Sequence, residues 1–203
     1  MAPSPLRVSR VLSLILIAAT LLAPVAQAAP RMRTFGPLID DYARYRGQEL
    51  CRPKPKPGVV AFERIVMRAY PHTRSWGISR ACDIGGRSEH KEGRAWDWHV
   101  RAWVEGDRET AQDLFRWLFA TDKHGNAHAN ARRLGVMYIQ WNRRIWGAWS
   151  RRWEVYCVDD RKGRCRNEDG KVVHAHRDHV HFSFSWPGAR QNTTFWNPEL
   201  SYP

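Results

Sequence analysis

Several signatures of common hydrolase and metal sites are missing from this 203-residue chain. No H-E-x-x-H run occurs, which excludes the zinc proteases that place two histidines one helical turn apart. No G-x-S-x-G elbow surrounds any serine, so a serine nucleophile of the α/β-hydrolase kind is excluded. No C-x-x-C pair exists, and thiolate zinc sites usually need one. After residue 28 no apolar run approaches the roughly 20 residues of a membrane span. Internal repeats and low-complexity tracts are absent. Acid is scarce too, with 20 Asp and Glu against 33 Lys and Arg, a formal charge of +13.

What is present begins with an export signal. Arg7 and Arg10 precede the apolar run Val11 to Leu22, and Ala26-Gln27-Ala28 offers small residues to a signal peptidase. Residues 1–28 therefore read as a signal peptide cleaved after Ala28, and residues 29–203 as a single secreted domain. The leader carries two arginines and no acid, so the mature charge is 13 − 2 = +11. Outside a cell the polyanions are wall polymers and lipid headgroups, so anionic cell-wall polymers are the expected charge partners, and nucleic acid is not. Four cysteines in an exported chain imply disulfides. Cys157 and Cys165 close a short polar loop, which leaves Cys51 for Cys82.

The periodicity predicts helices over Pro37–Glu49, Val59–Tyr70, Arg108–Ala120 with Asp107 as cap, and Ala127–Arg133. Strands are expected at Ala95–Val104, Val136–Trp141, Arg144–Trp149 and Val180–Trp186, the middle pair joined by Asn142-Arg143. Thr73–Gly93 reads as loop. The class is α+β, a mostly antiparallel sheet with N-terminal and flanking helices. Eleven tryptophans must lie mostly in the core or in site walls; a carbohydrate-binding platform is a lesser alternative. Nothing suggests more than a monomer.

Two segments carry chemistry: Ser88-Glu89-His90-Lys91-Glu92-Gly93-Arg94-Ala95-Trp96-Asp97 and His174-Ala175-His176-Arg177-Asp178-His179-Val180-His181. A catalytic zinc takes three protein ligands and keeps one position open. His90 and Asp97 could supply an imidazole and a carboxylate, with a turn at Gly93 between them. His179 and His181 share one face of a strand, so one could bind the metal while the other reaches substrate or water. His174 and His176 read as solvated surface.

The run S-x-H-x-x-G-x-A-x-D, met here as Ser88, His90, Gly93, Ala95 and Asp97, resembles the first zinc motif of D-alanyl-D-alanine carboxypeptidase-type peptidases. These share an antiparallel-sheet fold with the lysostaphin and hedgehog-like domains. The resemblance covers about residues 76–186. It implies one zinc ion held by His90, Asp97 and His181. It further implies a base at Asp178, or at His179 as in related branches, with Asp178 preferred. Arg80, in a loose G-x-R element, would face the oxyanion, and Ser88 would support the His90 loop. The implied activity is hydrolysis of peptidoglycan peptides, as carboxypeptidase or endopeptidase. The alternatives are a cell-wall-binding module of the same fold that has lost turnover, and a secreted nuclease, which lacks the helix that should follow its histidine.

Overall fold

The structure is a computed structural model that describes residues 29–31 and 33–203. The export signal and its cleavage point lie outside the described residues. Helix α1 (Pro57–Ala69) starts with proline at its first position, where the missing N–H costs nothing. It buries Val59, Phe62 and Val66. Strand β1 (Arg74–Gly77) and a single 3-10 turn (Glu89–Glu92) follow, then β2 (Ala95–His99). Next come helices α2 (Glu105–Phe119) and α3 (Ala129–Leu134). Strands β3 (Val136–Trp141), β4 (Arg144–Gly147) and β5 (Arg152–Val155) form a meander. A ribbon of β6 (Val158–Asp159) and β7 (Cys165–Arg166) precedes β8 (Val180–Phe184) and the one-turn α4 (Trp186–Ala189).

The main sheet has the order β1-β2-β8-β3-β4-β5, antiparallel throughout. The class is therefore α+β, as expected. Alternation along the strands divides the sheet into two faces. Trp96, Trp98, Phe182 and Ile139 are fully buried toward the helices. Phe62 of α1 meets Trp96, Phe182 and Phe184 at ring-centre distances of 5.7, 5.2 and 5.3 Å. Phe115 and Phe119 of α2 meet Trp141 and Trp146 at 5.6 and 4.6 Å. The residues between these, Asp97, His181, Ser183, Tyr138 and Gln140, belong to the opposite face. That face is the floor of an open groove of about 1140 Å³.

Three expectations need correction. Pro37–Glu49 is not helical but an irregular strap laid across the body. Its backbone bonds go to distant groups: the Leu38 and Gly36 carbonyls accept from Arg133, the Asp40 carbonyl from Arg132, and the Arg46 carbonyl from Arg94. The Glu49 and Leu50 amides donate to Glu92 at 2.9 and 3.0 Å. Buried Arg94 and Arg133 thus satisfy backbone groups that a helix would have paired internally. Asp107 is not the cap of α2, which starts at Glu105 with Val104 in the capping position; its carboxylate accepts instead from the Arg101 amide and Nε. The 73–93 stretch is not all loop, because β1 pairs there with β2.

The other elements stand near their expected places. Asn142 and Arg143 turn between β3 and β4 with φ of 48° and 63°, the left-handed pair that suits a tight hairpin. The disulfides are Cys51–Cys82 and Cys157–Cys165. Trp96, Trp98, Trp117, Trp141 and Trp146 are buried, whereas Trp76, Trp103 and Trp149 are exposed. Among the described residues no helix is long and apolar enough to cross a membrane.

Candidate metal centre

His90 is delivered by the 3-10 turn. Ser88 caps it, its Oγ accepting from the His90 amide, and Gly93 ends it with φ 66°. A Cβ at Gly93 would fall 2.0 Å from the Lys54 carbonyl oxygen, so only glycine fits both the conformation and the space. The chain then enters β2, where register sets Asp97 directly opposite His181 of β8.

Three ligand-type atoms converge. His90 Nε2 lies 3.1 Å from Asp97 Oδ1 and 3.2 Å from His181 Nδ1, and the last two lie 2.9 Å apart. Each imidazole is held from behind, which assigns its tautomer. His90 Nδ1–H donates to the Ile78 carbonyl at 2.8 Å. His181 Nε2–H donates to Ser183 Oγ at 3.1 Å, and Ser183 in turn donates to Glu89 Oε2. The two inner nitrogens then face the Asp97 carboxylate, where either a shared proton or a cation reconciles them. Three such atoms this close could share one metal ion. Tetrahedral ligation with bonds of about 2.0–2.1 Å puts ligand atoms about 3.3 Å apart. The three atoms are within a few tenths of that, so the residues fit a small divalent ion.

The surroundings match this use. Burial pushes the Asp97 carboxyl up, but hydrogen bonds and charge from His181 and His90 outweigh it and hold the group well below the usual carboxylate range. Glu89 is buried and also accepts from Tyr138 Oη, so the anion behind His181 is itself fixed. Such outer partners set the orientation and basicity of ligating histidines.

Of the remaining expected residues, Arg80 and His179 line the same groove and Asp178 stands behind His179. Arg80 is on the groove wall, its amide donating to the His90 carbonyl at 3.3 Å. His179 Nε2 sits 3.6 Å from Asp97 Oδ1, while its Nδ1 is 2.8 Å from Asp178 Oδ1. Asp178 is thus one residue removed from the three-atom cluster, behind His179. Burial pushes the His179 imidazole down, and the carboxylates of Asp97 and Asp178 oppose this only in part. A neutral imidazole follows, with Nε2 free to accept a proton. His174, exposed as expected, and His176, expected as solvated surface but partly buried, stand beside it with ring centres 5.2 and 5.0 Å from His179.

Sequence reasoning missed Glu89, Tyr138, Gln140 and Ser183 as parts of the site. Ser183 carried a signal, two residues beyond His181 and so on the same strand face. Tyr138 and Gln140 carried none until the β3–β8 register was known.

An α+β domain with a His-Asp-His candidate metal centre on the open face of its sheet is the class of protein that the fold and the site define. The chain belongs to the VldE, C-terminal domain family, whose model matches residues 51–168. The match contains all four cysteines, His90 and Asp97, and ends before β8. No curated protein and no solved structure matches the chain.

Proposed function

We propose that this protein is a secreted zinc-dependent peptidase of the D-alanyl-D-alanine carboxypeptidase type, hydrolysing peptide bonds of bacterial peptidoglycan. The observation that carries the reading is the convergence of His90 Nε2, Asp97 Oδ1 and His181 Nδ1 within 3.2 Å, each histidine held in its ligating tautomer, at the floor of an open groove. Imidazole and carboxylate together suit zinc, and one carboxylate leaves the centre with a formal charge of +1. Zinc bound there would supply Lewis-acid polarisation of the scissile carbonyl and acidification of water. Two disulfides agree with an exported protein.

The chain's own residues then divide the work. His179, oriented by Asp178, accepts the proton of the attacking water at Nε2 and returns it to the leaving amine. This gives the base to His179, with Asp178 as its positioning residue, where the sequence alone favoured Asp178. Arg80, on the groove wall, supplies positive charge to the oxyanion. Trp76, half exposed, packs its ring 5.3 Å from that of His179 and helps hold the imidazole in place.

Elemental analysis of the mature protein, beside digestion of purified peptidoglycan read by mass spectrometry, tests this. New peptide termini from the parent and none from His181→Ala are expected, with His179→Ala slower by roughly a hundred- to ten-thousand-fold. Zinc at the site without any new termini would replace the peptidase by a wall-binding module. A protein without metal would end both.

A further inference from the structure

The groove holds a second histidine cluster that the reading above does not use as ligands. His174, His176 and His179 each offer one nitrogen, all within 4.8 Å of one another. Their ring centres are 4.9, 5.2 and 5.0 Å apart. Three imidazoles held tetrahedrally by one ion at about 2.0–2.1 Å would have ring centres about 5 Å apart, so the rings already stand at ligating separation. His176 Nδ1 is buried and has no hydrogen-bond partner. Buried polar atoms are nearly always bonded, so an orphan on a ring that stands among other imidazoles points to a missing partner.

The segment bearing these residues is braced, not loose. The Ala175 and His176 carbonyls accept from the Arg143 and Asn142 amides at 2.8 and 2.6 Å. The Arg177 carbonyl accepts from the Ala102 amide at 2.6 Å. His176 holds φ at 46°, a conformation that non-glycine residues adopt at some cost. Fixed backbone on both sides places two rings, and His174, exposed at the rim, is the adjustable third.

We propose that His174, His176 and His179 form a second metal site, distinct from His90, Asp97 and His181, for a borderline divalent cation such as zinc or nickel. Three imidazoles without a carboxylate suit that class and disfavour calcium or magnesium. With no anionic ligand the site holds its ion less tightly than the first. Filling it also occupies His179 Nε2, so excess zinc stops the proton transfer assigned to that atom. This last consequence rests on the peptidase reading; the site itself does not.

The test is titration of the metal-free mature protein with zinc alone, followed by calorimetry and by elemental analysis after desalting. Two equivalents of unequal affinity are expected. His174→Ala and His176→Asn, the latter chosen because asparagine tolerates the left-handed backbone, should each weaken the second equivalent at least tenfold and keep the first. His181→Ala should do the reverse. Circular dichroism and the melting temperature establish that each variant is folded. A single equivalent lost on His181→Ala would overturn the proposal, as would a second equivalent indifferent to both loop variants. If peptidoglycan is cut, zinc excess should inhibit the parent and spare His174→Ala. If nothing is cut, the peptidase reading falls while the stoichiometry still decides the second site.

Discussion

Ser183 is an ordinary residue by type, fully buried in a strand, yet it joins His181 to the Glu89 carboxylate. Removing its hydroxyl frees the His181 ring to turn and deprives its N–H of an acceptor, while the core face of β8 is untouched. Ser183→Ala should therefore lower affinity at the first metal site roughly 10- to 100-fold, the range found for outer-shell partners of ligating histidines. Competition with a chromophoric zinc chelator reads this directly; unchanged affinity would mean that Ser183 only packs. His90, Asp97 and His181 could be singled out as candidate ligands because the S-x-H-x-x-G-x-A-x-D run and the later H-x-H resemble a zinc-peptidase motif pair; the 84-residue separation of Asp97 and His181 is closed only by the β2–β8 register. Ser183, Glu89 and Tyr138 were not, because serine, glutamate and tyrosine acquire these roles only through strand register and burial. Asp178 was legible as part of the site but not in its place, since the chain cannot reveal that its carboxylate turns back to the neighbouring His179.

At the scale of elements, the non-helical Pro37–Glu49, the first part of a strap that runs on past Cys51, is the largest departure from what the sequence suggested. Leu38, Ile39, Tyr42 and Tyr45 have helical spacing, but periodicity says nothing about arginines from distant helices and strands competing for the backbone carbonyls. Arg94 and Arg133 are fully buried, and they bond the Gly36, Leu38 and Arg46 carbonyls of the strap as well as oxygens of Glu92, Asp122, Phe184 and Thr194. Strands β2, β3, β4 and β8 and the β3–β4 hairpin, by contrast, were readable, because alternating tryptophan, valine and isoleucine state both period and face; the β2–β8 pairing came only with the structure. Strand β5 was missed since four residues give too few alternations to register. The strap is fastened to the loop after Ile78 by Cys51–Cys82, a closure of 31 residues, whereas Cys157–Cys165 closes 8. Chain-entropy arguments give the longer closure about 3–4 kcal/mol and the shorter about 2–3 kcal/mol. The Cys51→Ser, Cys82→Ser double variant should therefore melt lower than its Cys157→Ser, Cys165→Ser counterpart. It alone should also weaken metal binding, because the Ile78 carbonyl that fixes the His90 tautomer lies in the loop it anchors. Equal melting losses with unaltered affinity in both would show that the strap does not brace the site.

For the molecule as a whole, the sheet divides labour between its faces: helices and tryptophans fill one, and the other is left open for polar chemistry. The α+β class followed from the order of periodic segments, and the position of the site from strand alternation once Asp97 and His181 were placed opposite each other. On the open polar face a bound metal would tie the facing side chains of β2, β8 and the 3-10 turn together, adding to the β2–β8 ladder and the Ser183–Glu89 bond. Metal binding should therefore stabilise the entire fold and not the groove alone. An ion present at a hundred times its dissociation constant adds about 2.7 kcal/mol, and for a domain of this size each kcal/mol moves the melting temperature by about 2–4 °C. Chelation of the parent should lower its melting temperature by roughly 5–10 °C by the same two relations. His181→Ala should melt low from the outset and be indifferent to the chelator, and His174→Ala should respond nearly as the parent does, since the stronger site remains. A parent whose melting ignores the chelator would mean that the three acceptors are neutralised by a proton instead, and the metal centre would be lost with it.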